Sequence, residues 1–116
     1  MENKCLELSK KFWKATLESD TKVMREICHK DVTFVHIGVN ANLEEECKCY
    51  DDKIFNPTNV TIHKQEVKEF GNTTIVLTDV DYGLLLNGQE TTHHFMTTEV
   101  FVDEKIIQFT FTALVY

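Results

Sequence analysis

From Val60 onward the chain is punctuated by three tight turns. Gly71-Asn72, Asn87-Gly88 and Asp103-Glu104-Lys105 each stand between β-branched and aromatic runs. Asn-Gly and Gly-Asn dipeptides supply the positive backbone dihedrals that two-residue hairpin loops require, so the second half reads as a meander. Its four long strands span about 59–70, 73–86, 89–102 and 106–116.

The first half has a different period. Leu6, Leu8, Phe12, Trp13, Ala15, Thr16 and Leu17 recur at helical spacing opposite Glu7, Lys10, Lys11, Lys14 and Glu18, which predicts an amphipathic helix over 3–18. Ser19 and Asp20 form a polar elbow able to cap a second helix over 21–28, with Val23, Met24 and Ile27 as its buried stripe. Val32-Thr33-Phe34-Val35-His36-Ile37, closed by Gly38, reads as a half-buried strand. Asn42-Leu43-Glu44-Glu45 has the form of a capping box and starts a third helix at about 42–50. The single proline, Pro57, follows in a loop.

Two-residue loops also set the register, because residues flanking a loop must face each other and side chains alternate with period two. Counting from Asn87-Gly88 places Tyr82 opposite His93, Val80 opposite Phe95, Thr78 opposite Thr97 and Val76 opposite Glu99. Counting from Gly71-Asn72 places His63 opposite Val80 and Val67 opposite Val76. One face is then an apolar wall with a few hydroxyls and imidazoles, the composition of a small-molecule pocket. The other carries Lys64 across from Asp79 and His94 across from Asp81, which suits a wetter face able to contact another subunit. A bulge would exchange the two faces from that point on.

Composition narrows the function. At 116 residues and 42% hydrophobic content the chain fits one domain, 1-116, able to bury a core without staples. The start has neither the basic nor the apolar region of a secretion signal, and no run is long enough to span a bilayer, so a cytoplasmic location without membrane partners is expected. A net charge of −7 with no basic stripe argues against nucleic acid. Cys5, Cys28, Cys47 and Cys49 are irregularly spaced and read as free thiols. No metal site is expected from Cys47-Lys48-Cys49, Cys28-His29 or His93-His94: helix positions two apart point about 200° apart, and adjacent strand residues face opposite sides. Glu44-Glu45-Glu46 reads as a solvated helix face.

The helix, the Asp20 elbow, the second helix, the strand Asp31 to Gly38, the later Asn87-Gly88-Gln89 and a C-terminal strand together resemble the nuclear transport factor 2-like superfamily. Within it the chain looks closest to bacterial SnoaL-like and ketosteroid isomerase-like proteins. The resemblance implies an α+β cone in which a strongly bent antiparallel sheet wraps three N-terminal helices, encloses a pocket and commonly dimerises through the sheet. It also implies a range of activities, from isomerases, cyclases, dehydratases and epoxide hydrolases to non-catalytic binders. Position by position, Phe12 stands where ketosteroid isomerases carry an oxyanion-hole tyrosine, His36 where they carry the aspartate base, and Thr97 near their protonated aspartate. A phenylalanine donates no hydrogen bond to an enolate, so steroid isomerisation in that form is not expected.

These readings converge on a mainly apolar organic ligand held among Phe12, Trp13, Phe34, His36, Tyr50, His63, Thr78, Val80, Tyr82, His93, Phe95 and Thr97, with no cofactor. His36 is the candidate general base for lyase or isomerase chemistry. Asp31, Asp79 and Asp81 are nominal partners for it, of which the last two point away by register. The alternative is a ligand-sensing or assembly module without turnover, and a carboxylate beside His36 would favour the enzyme. A third reading is a dimer whose cavity is filled by its own aromatics.

Overall fold

The structure, a computed structural model, describes residues 3–114. Its elements are α1 (Lys4–Glu18), α2 (Thr21–Ile27), β1 (Cys28–His36), β2 (Val39–Ala41), α3 (Leu43–Asp51), β3 (Pro57–Phe70), β4 (Thr73–Leu86), β5 (Gln89–Val102) and β6 (Lys105–Ala113). The helices and the four meander strands match the sequence reading to within two residues where both are described. β1 is longer than expected, and the short β2 was not foreseen. The end of the expected last strand, 115–116, lies outside the described residues.

The six strands form one curved, unclosed sheet in the order β2-β1-β6-β5-β4-β3, with β1 parallel to β6 and every other pair antiparallel. This is the expected α+β arrangement of three helices and a bent sheet, with the correction that one strand pair is parallel. The three hairpins form as their turn residues require. Asn87 and Gly88 take φ of 53° and 78°, and Asp103 and Glu104 take 50° and 64°.

Bulges explain both the bend and the one register error. Between β4 and β5 the pairing runs as counted, including Tyr82 with His93 and Val76 with Glu99. Along β3 the count fails at His63, which is the extra residue of a bulge: Ile62, not His63, sits opposite Val80, and Lys64 follows opposite Asp79. A second irregularity at Pro57–Asn59 abuts Gly83, where a Cβ would come within 2.7 Å of Thr58 Oγ1. Extra residues on one strand curl the sheet toward its helices.

Caps set the helices on this surface. Asn3 accepts from the backbone N–H of Cys5 and Leu6 at the start of α1. Ser19 ends it in the left-handed region at φ 53°, and Asp20 accepts from Val23 N–H to start α2. The buried face of α1 is Cys5, Ser9, Phe12, Trp13, Ala15 and Thr16, while Leu17 is exposed. Trp13 packs edge-on against Tyr82 and Phe109, and Phe12 packs against Phe34 and Phe109.

Candidate functional site

The alternation that buries Val32 and Phe34 along β1 turns His36 inward at the strand's last position, before the turn at Gly38. Across from it α3 is fixed by the expected capping box, Asn42 and Glu45 bonding reciprocally at 2.9 Å. The buried stripe of α3 is Leu43, Glu46, Cys47 and Tyr50. Glu46 therefore points inward and is only 1% exposed, which corrects its reading as part of a solvated face. Its Oε1 lies 2.6 Å from His36 Nε2. An ionised carboxylate only accepts, so opposite one Nε2 is the donor, and in the neutral imidazole Nδ1 then keeps its lone pair.

The pair opens onto a cavity of about 380 Å³, whose wall includes Ala41, Cys49, Phe55, Leu84, His93, Phe95 and Phe111. The His36 ring stacks on Phe111 with centroids 4.7 Å apart and leans on Phe55 at 5.4 Å. A further space of about 50 Å³ shares His36, Phe55, Leu84, Phe95 and Phe111 and reaches the buried Tyr50 and Tyr82. Their hydroxyls bond at 2.8 Å, and burial pushes both phenols above their ordinary pKa. Burial likewise raises the thiol of Cys49, which favours the neutral form.

Of the residues expected around the ligand, His36, His93 and Phe95 line the main cavity, and Tyr50 and Tyr82 the inner space. Phe12, Trp13, Phe34 and Val80 are core residues outside the wall. His63 is displaced by its bulge to the other side of the sheet, half exposed, with Nε2 2.9 Å from Asp81 Oδ2; His94 bonds Asp79 nearby. Asp31, also weighed as a partner for His36, is exposed beside His29.

Thr78 and Thr97 serve a second buried carboxylate instead. Glu99 Oε2 accepts from Thr78 at 2.7 Å, Thr97 at 2.8 Å and Trp13 Nε1 at 3.1 Å, while Ser9 donates to Oε1. Gln65 in turn donates to Ser9 and Thr78, leaving its own Oε1 buried without a partner among the described residues. Burial raises the Glu99 pKa, and the four donors pull it back down in part. This network ties α1 to the sheet and opens onto no cavity described above.

Sequence reasoning missed Glu46, Cys49, Phe55, Leu84 and Phe111 as cavity residues. The signal for Glu46 was present: it stands three residues after Leu43 and four before Tyr50, on the one helical stripe that can be buried. A larger groove of about 860 Å³ runs past Asn3, Lys4, Glu69, Asn72, Asp103 and Glu104. Its wall is mostly polar and charged, and among the described residues it shows no hydrogen-bonded acid and base, so the His36 cavity is the better candidate. Among the described residues no group of three or more His, Cys, Asp or Glu converges as a metal-binding set, and no helix is long and apolar enough to cross a membrane.

A curved, unclosed six-stranded sheet wrapped on three helices has counterparts among solved structures. This is the nuclear transport factor 2-like fold. An NTF2-like protein from Cytophaga hutchinsonii superposes with a TM-score of 0.84 over 94% of both chains at 18% identity. The S. rosetta CaMKII hub matches at 0.76 over 95% of this chain and 94% of its own, at 20% identity. An LEH-like epoxide hydrolase from M. tuberculosis matches at 0.74 over 94% and 83%, at 12% identity. No protein-family model and no curated protein matches the sequence. At these identities the NTF2-like likeness is one of fold, and function rests on the cavity itself.

Proposed function

We propose that this chain binds a mainly apolar small organic molecule in the His36 cavity and catalyses a proton-transfer reaction on it, of the lyase or isomerase type. The observation that carries this is the buried Glu46 carboxylate 2.6 Å from His36 Nε2 at the edge of an aromatic cavity. Glu46 holds the imidazole in the tautomer whose Nδ1 can accept a proton and stabilises the imidazolium that results. The proton is then returned at another carbon in an isomerase, or the electron pair expels a leaving group in a lyase. Solved proteins of this fold include one described as an epoxide hydrolase, so the scaffold is compatible with catalysis.

The test begins with mass spectrometry of small molecules retained by natively purified protein. With a retained compound or its precursor as substrate, His36→Ala should abolish turnover, and Glu46→Gln should lower kcat by about 100-fold with the fold intact. Unchanged kinetics in both variants would remove the pair from the mechanism and leave a non-catalytic binder.

Self-association through the sheet fits the same reading. The outer face presents half-buried Ile75, Leu77, Met96 and Val100, an apolar centre of the sort found in subunit contacts, and a hub protein shares the fold. Sedimentation should show a dimer that Leu77→Arg dissociates; a monomeric wild type would refute it.

A further inference from the structure

The two buried carboxylates differ in how their charge is met. Glu99 receives four donors spread over both oxygens. Among the described residues one hydrogen bond reaches Glu46, from His36, although Glu46 is equally buried. A carboxylate has about four lone-pair positions, and a buried one met by a single donor directs its remaining acceptor capacity toward any open space beside it. That space is the cavity, whose described wall residues include Glu46 and the imidazoles of His36 and His93 but no lysine or arginine.

The same wall is a continuous arc of ring systems. Phe55 meets His36 at 5.4 Å, His36 meets Phe111 at 4.7 Å, Phe111 meets Phe95 at 5.3 Å and Phe95 meets His93 at 5.9 Å between centroids. Aromatic faces carry negative electrostatic potential and attract a cation set against them. Carboxylate and rings thus favour the same sign of charge, and the chain's net −7 steers in the same direction.

We propose that the ligand of this cavity is a small apolar organic cation, a protonated amine or quaternary ammonium whose nitrogen sits between the Glu46 carboxylate and the ring faces of Phe55, Phe95 and Phe111. This rests on the reading of the cavity as a small-molecule site and specifies the class of molecule. An anionic ligand would face the Glu46 carboxylate with no lysine or arginine among the described wall residues to offset it. A neutral hydrocarbon fills the volume but leaves the carboxylate unmet.

The experiment compares benzyltrimethylammonium with its uncharged isostere neopentylbenzene by ligand-observed NMR titration of the full chain. The ammonium should bind at least about tenfold more tightly, and Glu46→Gln should shrink the preference to within about threefold while the hydrocarbon still binds. Should Glu46→Gln not fold, the wild-type ratio decides alone. Hydrocarbon binding as tight as the ammonium's would refute the cation site and leave the small-molecule reading standing. Binding of neither probe would overturn both.

Discussion

Oε1 of Glu46, on the third helix, stands 2.6 Å from Nε2 of His36 at the end of the first strand. The side chains are 2% and 24% exposed, so the contact is shielded from water rather than a surface ion pair. It links the two elements that frame the cavity and is the contact on which the proposed proton transfer rests.

Removal of either partner should therefore be felt by the other. In urea unfolding, the double variant His36→Ala, Glu46→Ala should be more stable than the sum of the single losses predicts, by about 1–3 kcal/mol. Additive losses would show that the pair is adjacent without being coupled.

Glu99 should be structural rather than chemical. Glu99→Leu leaves the Trp13 N–H and three hydroxyls in the core without their acceptor and should cost about 3 kcal/mol or more. A loss below about 1 kcal/mol would mean that these donors find other partners.

The direction of the Glu99 pKa gives a pH test. Burial raises it, so the folded state holds the proton more tightly than the unfolded chain. The associated stability is fully present below the unfolded pKa and is lost as pH rises through the folded one. Wild-type stability measured against the non-titrating Glu99→Gln should therefore decline from about pH 4 toward neutrality. A difference that grows with pH would contradict the burial argument.

The β3 bulge separates two neighbouring residues. His63→Ala removes one half-exposed contact to Asp81 and should change stability by no more than about 1 kcal/mol. Ile62→Asp places a charge against the core and should cost about 2 kcal/mol. The reverse order would restore the unbulged register.

Much of the fold was legible because hairpin chemistry is local. Asn87-Gly88 dictates its own turn, and the β4–β5 pairing follows from it without tertiary information. Nothing in the turn itself announces the bulge at His63, so counting from Gly71-Asn72 holds through Lys64 and fails from His63 on. The site was half legible for a related reason. His36 follows the alternation of its strand, whereas Glu46 stands in a run of three glutamates whose other two face solvent, and charge outweighed the helical stripe. Glu99 was placed on the inward face by register, but its four donors come from residues far apart in sequence.

The most direct test is an NMR titration of the isotope-labelled chain with a panel of apolar small molecules. Shift changes are predicted to concentrate on His36, Glu46, Phe55, Leu84, Phe95 and Phe111 and to vanish in a variant whose cavity is filled by Leu84→Trp. Changes centred on the polar groove past Glu69 and Asp103, or equally large changes in the filled variant, would contradict the account.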